Sequence, residues 1–324
     1  MNLDFGNKYD GFRDEVKEFC NHYQGVQLKG TLGNLFGHEE IKNSKKQALK
    51  ISIQDWQKIL IEQGYFARSI PKKYGGYGGE LDIVKDVIIN DEFTKANVPL
   101  GTGGQGIDFL VPTLLEMGTE EQKQRYIKAA LHLDEIWCQG YSEPNAGSDL
   151  ASLQTKGVLD GDEWVINGQK IWTSTAKYAQ MMFCLVRTEP DAPKHQGISY
   201  LLIPMDTPGI EVRPLVDMTL EAGFNEVFFT NVRIPATNIV GERGQGWMVA
   251  NRTLVHERGS LGDPNKMVSR LNKLIELMKN ESIDGERIID KPVFRDRLMK
   301  TQGKVLALKA HGLRLLSSQL NKGQ

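Results

Sequence analysis

The most constraining feature of this chain is that its hydrophobic period changes twice. Up to about Ile136 apolar residues recur at helical spacing. From there to Ile234 they alternate in short runs, and beyond Trp247 the helical spacing returns. Phe12, Val16, Phe19 and Tyr23 form one stripe. Ser52 is placed to cap a helix that turns Trp56, Ile59 and Leu60 inward, and Asp82 starts another through Val84, Val87, Ile88 and Phe93. Two more helices are predicted over 107–117 and 119–133, the second opened by a Thr119/Gln122 capping box. Strands are predicted over 136–142, 153–159, 164–167, 181–188, 198–204, 210–216 and 225–234, and helices then run onward, broken near Pro264 and Pro292. The expected fold class is α+β. It comprises an all-helical N-terminal domain (1–134), a central antiparallel β-barrel or sandwich domain (135–242) and the start of a C-terminal helical bundle (243–324).

Two polar clusters interrupt the strand region. Ser142-Glu143-Pro144-Asn145-Ala146-Gly147-Ser148-Asp149 reads as a loop that exposes backbone N–H groups and hydroxyls. The hairpin after it turns at Asp160-Gly161 and returns a second cluster, Gly168-Gln169-Lys170-Ile171-Trp172-Thr173-Ser174, towards the first. There a large aromatic face stands directly before two hydroxyls. A flat heteroaromatic plate with a hydrogen-bonding edge needs both, which points to a flavin. The same residues also suit a half-buried hairpin whose Trp164 and Trp172 are core.

A net charge of −1 over 324 residues argues against nucleic acid as the main partner, and no apolar run approaches the length of a membrane span. The N-terminus has no secretory pattern. Cys20, Cys138 and Cys184 are widely spaced, which fits a reducing compartment, with cytoplasm the default, and gives no metal signature. The run Gly101-Thr102-Gly103-Gly104-Gln105-Gly106 matches GxGxxG. A helix and a proline precede it rather than a strand, so it is not read as a dinucleotide fingerprint.

On the helix from Trp247, Ala250, Leu254, Glu257 and Leu261 share a face, so Glu257 interrupts an apolar stripe. Burial there would raise its pKa and suit it to accept a carbon-bound proton. The alternative is a structural pair with Arg258 or another arginine.

In these motifs the chain resembles the acyl-CoA dehydrogenase family: Ser142-Glu143-Pro144, Gly147-Ser148-Asp149, Asn167-Gly168-Gln169-Lys170 and Trp172-Thr173-Ser174 follow in order at the family's spacing. The resemblance implies an FAD-dependent enzyme that oxidises the α,β bond of an acyl-CoA thioester and passes electrons to an electron-transferring flavoprotein. It implies that Gln139, Tyr141, Ser142, Gly147, Ser148, Trp172, Thr173 and Ser174 bind the flavin. Ser148 would also meet the CoA arm, Arg258 would lie near substrate, and the glycine run would border the acyl pocket and leave room for a bulky acyl group. It places the base at Glu257, the position used by a subset of the family directly before an arginine. The wording around Trp137 to Ser142 is nearest to relatives acting on dicarboxylic or steroid side-chain thioesters. The C-terminal domain reads as truncated, and the Arg-x-x-Phe-Gly run of many relatives is replaced by Ile289-Asp290-Lys291-Pro292-Val293-Phe294-Arg295. That leaves the adenine end of the flavin and the usual tetramer without their customary support, within a homo- or hetero-oligomer. Two other readings stay open: a non-catalytic subunit of a heteromeric dehydrogenase, and a flavin monooxygenase or oxidase on the same fold.

Overall fold

The computed structural model describes residues 7–29, 49–260 and 264–322. Helices α1 (Asp10–His22), α2 (Ile53–Glu62) and α3 (Ile83–Ala96) pack around Val16, Cys20, Trp56, Leu60, Ile88 and Phe93. The predicted caps form. Ser52 Oγ accepts from the Asp55 N–H at 3.0 Å, and an Asp82 carboxylate oxygen accepts from the Val84 and Lys85 N–H groups. A short parallel pair, β1 (Gln27–Lys29) with β2 (Lys50–Ser52), lies among these helices, so this part of the chain is not all-helical as expected. Three residues per strand fall below what a period-2 pattern can register.

The glycine run leads into a π-helical turn, Gln105–Leu110, and then α4 (Val111–Met117). Residues 120–131 form α5, with the capping box present and a second π-helical stretch at Lys123–Ile127. Wide turns of this kind recur near functional sites.

The central sheet has eight strands: β3 (Trp137–Gly140), β4 (Lys156–Asp160), β5 (Glu163–Lys170), β6 (Met181–Arg187), β7 (Ile198–Pro204), β8 (Ile210–Leu215), β9 (Phe224–Pro235) and β10 (Ile239–Val240). The order is β10-β7-β6-β4-β5-β9-β8, with β3 also on β6. Two expectations are corrected here. Among the described residues the sheet does not close into a barrel, and it is mixed rather than antiparallel, because β3 and β4 both run parallel to β6 along one edge. They share that edge: β3 takes Met181 to Cys184, and β4 touches it only at Arg187. The chain between them, 141–155, is pushed out of the sheet as a loop.

Strands β6 and β7 are buried on both faces, which explains their nearly unbroken apolar sequence. Phe183, Leu185, Tyr200 and Leu202 face α4, α5 and the following helix through Leu114, Ile127 and Val249. Met182, Cys184, Val186, Leu201 and Ile203 face the other way and meet Trp164, Ile166, Val227 and Val232 of β5 and β9, so the sheet folds over onto itself. Each of these side chains contributes roughly 1.5–3 kcal/mol by leaving water. After the sheet come α6 (Gly246–Ser260), α7 (Pro264–Asn280), a small hairpin of β11 (Ser282–Ile283) with β12 (Glu286–Arg287), and α8 (Pro292–Lys322). No described helix is long and apolar enough to cross a membrane.

Candidate functional site

Two backbone and side-chain ties bring the polar clusters together. The Ile171 N–H donates to Ser142 O at 2.9 Å, setting the Ser142 loop beside the end of β5, just before Trp172. Lys170, with none of its side chain exposed, donates from Nζ to Glu143 Oε1 at 2.8 Å and to Tyr141 O at 3.1 Å. The Glu143 carboxylate also accepts the Gln154 and Thr155 N–H groups at 2.6 and 2.9 Å. Burial by itself would raise the Glu143 pKa. The Lys170 charge and these donors outweigh it and hold the carboxyl below its ordinary value.

Beyond Lys170 the chain turns abruptly. Trp172 takes a left-handed backbone with φ 60°, rare for a bulky side chain, and so does Thr175. The result is an indole that is 60% exposed, held at its edge by Phe224 with ring centroids 5.9 Å apart. Trp164, by contrast, is core at 2% exposure. The core-hairpin alternative therefore holds for one tryptophan and not the other. Thr173 is buried directly after the indole, pairing its backbone with Asn225 in both directions at 3.0 Å. Neither Thr173 Oγ1 nor Asn225 Oδ1 has a partner. An exposed plate beside unpartnered buried hydrogen-bonding groups fits a flat ring with a polar edge, the chemistry of a flavin.

The other expected residues are less uniform. Ser142, Ser174 and Gln139 are half-buried, whereas Gly147 and Ser148 lie on the exposed part of the loop. The Tyr141 ring packs in the core against Phe183 and Tyr200, with its hydroxyl buried and without a hydrogen-bond partner and its carbonyl accepting from Lys170. Ser174 and Thr175 line a cavity of about 110 Å³ with Gly103 to Ile107, Ala130, Leu133, Glu135, Ile136 and Trp137. The glycine run thus reaches the second cluster. Its Gly106 does not simply leave open space: a Cβ there would stand 2.7 Å from Trp137 Cδ1, so the indole occupies that gap. Gly106→Ala should consequently lower stability by about 1–3 kcal/mol through overpacking. A thermal melt within error of wild type would show that Trp137 can move aside.

On α6 the most deeply buried residues are Val249, Ala250 and Thr253. Glu257 lies one turn past Thr253 and is half-buried rather than fully buried, with Oε2 out of solvent. It is near enough to Tyr141 that its charge adds to burial in pushing the phenol pKa up. The side chains of Arg258 and Leu261, expected beside the substrate and on this face, lie outside the described residues.

Family models were matched along most of the chain. Those described as the acyl-CoA dehydrogenase N-terminal, middle and C-terminal domains match residues 35–133, 138–232 and 244–324. The "Acyl-CoA dehydrogenase IpdE1" of Mycolicibacterium smegmatis is 40% identical over 93% of this chain and 77% of its own length. The chain belongs to the acyl-CoA dehydrogenase family. The protein of the same name from Mycobacterium tuberculosis is 41% identical over 80% of this chain, and the match spans 66% of that relative's length. Among solved acyl-CoA dehydrogenases, "Tcur3481-Tcur3483 steroid ACAD" superposes with a TM-score of 0.75 at 29% identity, covering 99% of this chain and 79% of that one. The ChsE4-ChsE5 complex of Mycobacterium tuberculosis gives 0.74 at 30% identity, covering 98% and 78%.

Several residues of this candidate site escaped the sequence reading. Phe224 and Asn225 sit at the start of β9, far from the clusters in sequence, and no local pattern marks them. Lys170 carried a signal: a charged residue two steps along a strand from turn residues, with the Glu143 carboxylate near the start of the opposite cluster.

Proposed function

We propose that the chain binds FAD at the Ser142 and Trp172 clusters and carries out α,β-dehydrogenation of an acyl-CoA thioester, with Glu257 as the base. The observation that carries this reading is Trp172: a strained backbone presents an indole to solvent immediately before a buried hydroxyl that has no protein partner. In the assignment by family likeness, Trp172 and Thr173 cover one face of the ring, Ser142 and Ser174 meet its edge, and Gln139, Tyr141 and Gly147 lend backbone or side-chain contacts. Ser148 meets the CoA arm and Arg258 lies near the substrate. FAD, when bound, supplies a hydride acceptor. The chain's part is to hold the thioester against that acceptor, exclude water and take the α proton on the Glu257 carboxylate.

The structural relative named a steroid ACAD supports a bulky acyl group, and two structural relatives with paired names support a hetero-oligomer as the assembly to test. An electron-transferring flavoprotein is the proposed acceptor. The direct test is the visible spectrum of the purified protein, alone and with candidate partner chains, before and after acyl-CoA is added without oxygen. A flavin spectrum that bleaches supports dehydrogenation. A protein that takes up no FAD in any assembly sinks the proposal.

Trp172→Ala separates the plate reading from a structural one. Because the indole is mostly exposed, its loss should leave the melting temperature nearly unchanged while FAD affinity falls roughly tenfold or more. Unaltered flavin affinity would mean that the indole serves something else.

A further inference from the structure

The strained turn at Trp172 lies where β5 and β9 carry two opposed bulges. In the first, Ile166 pairs with Val232 and Gly168 with Phe229, which leaves Asn167 opposite both Thr230 and Asn231. Asn231 takes a left-handed φ of 51°, its N–H donates to Asn167 Oδ1 at 2.8 Å, and Asn167 Nδ2 donates back to Asn231 Oδ1 at 3.1 Å. An extra residue exchanges the two faces of a strand beyond it. Val232 and Ile234 are buried on one side of the bulge, and on the other it is Asn225, Val227 and Phe229. An amide is thereby turned inward, at 1% exposure, where an apolar side chain would pack at less cost.

The second bulge is in the other strand. Lys170 pairs with Val227, and Thr173 exchanges backbone bonds with Asn225, so Ile171 and Trp172 stand opposite Glu226. Trp172 is the residue thrown outward. Asn225 closes this bulge: Thr173 O accepts its N–H at 3.0 Å and its side-chain Nδ2 at 2.8 Å. A carbonyl can only accept, so the contact fixes which end of the amide faces Thr173. The other end, Oδ1, is buried without a protein partner, so the amide serves the geometry of the turn at some cost to the core.

We propose that Asn225 is a positioning residue of the flavin site: its amide holds Thr173 O and so fixes the turn that presents the Trp172 indole and the Ser174 hydroxyl. The inference rests on the FAD reading above and deepens it. Trp172 and Ser174 flank Thr173 directly, so a rotation of the Thr173 backbone displaces both. Without the side-chain donor, the backbone pair alone opposes the reluctance of a bulky residue to keep a positive φ.

The test follows FAD titration, the fluorescence of the bound flavin and thermal melting in wild type, Asn225→Ala, Asn225→Leu, Trp172→Ala and Ile234→Ala. Asn225→Ala removes the amide and leaves the backbone ladder. Asn225→Leu does so with little change of volume and serves if the alanine variant does not fold. Ile234→Ala weakens the same core beyond the first bulge without touching the turn. FAD affinity should fall about tenfold or more in the Asn225 variants. An indole in contact with a flavin quenches its fluorescence, so the flavin bound by the Asn225 variants should brighten towards that of Trp172→Ala. Ile234→Ala should melt earlier yet bind FAD within about twofold of wild type, with the fluorescence still quenched. Asn225 variants that match Ile234→Ala in affinity and fluorescence would overturn the proposal and make the amide a packing residue, with the FAD reading intact. Wild type that takes up no FAD in any assembly sinks the FAD reading, and this inference with it.

Discussion

Glu257→Gln should slow anaerobic flavin reduction by bound acyl-CoA roughly a hundredfold to ten-thousandfold, the range that a positioned proton acceptor contributes. The amide keeps the size and reach of the carboxylate but cannot take the α proton. Substrate affinity should survive, because the thioester is held by other groups. The location supports the role: Glu257 lies one turn past the buried Thr253 on α6, with Oε2 out of solvent and its charge felt by Tyr141, whose next residue is Ser142. A purely structural carboxylate predicts the reverse pattern, a lower melting temperature with reduction nearly intact. Single-turnover reduction and a melting curve on both proteins separate the two. Reduction within a fewfold of wild type would move the base to another chain or segment.

The second large effect concerns stability. Lys170→Met should cost about 3–5 kcal/mol, because it strands the Glu143 carboxylate in a buried site after removing its counter-charge. Lys170 also ties Tyr141 O to the strand end, so the loop carrying Ser142 should loosen and FAD affinity should fall together with stability. The double variant Lys170→Met with Glu143→Leu should recover part of the stability, since no buried charge then lacks a partner. It should not recover flavin affinity, for the carboxylate that fixes the Gln154 and Thr155 N–H groups is gone as well. Chemical denaturation measures the first quantity and FAD titration the second. A Lys170→Met protein as stable as wild type would mean that Glu143 is reached by water.

The same pair sets a pH dependence. The Glu143 pKa is lower in the folded protein than its ordinary value of 4.5, so the unfolded chain binds a proton more readily. Its contribution to stability is therefore fully present above about pH 4.5 and is lost as pH falls through the folded value. Wild type should lose stability on acidification below that point more steeply than the Lys170→Met, Glu143→Leu protein. Parallel curves for the two would show that other carboxylates carry the acid response.

Much of this protein could be read from local pattern. Helices α1 to α3 and α5 follow from stripes such as Phe12, Val16 and Phe19, and from caps at Ser52, Asp82 and Thr119 that act within one turn of chain. The hairpin of β4 and β5 follows from Asp160-Gly161, where Gly161 takes φ 64° without side-chain strain. Even the meeting of the two polar clusters was legible, because a hairpin must bring its ends together.

What local pattern could not decide is anything set by partners far along the chain. Strand β6 is apolar from Met181 to Val186, so alternation could not say which face meets helices and which meets β5 and β9. The parallel placement of β3 and β4 on one edge of β6 departs from the antiparallel pairing expected of a barrel or sandwich, and it depends on pairings between Trp137 and Met181 and between Lys156 and Arg187 that leave no local trace. Trp164 and Trp172 look alike in sequence. Only the left-handed backbone at Trp172, and the packing that maintains it against Phe224 and Asn225, turns one indole outward while the other is buried. Sequence by itself determined most of the longer helices, strands and turns, because those choices are settled within a few residues, but not short strands such as β1 and β2. The tertiary structure decided which side chains are exposed, paired or left facing a cavity, because burial depends on what arrives from elsewhere in the chain.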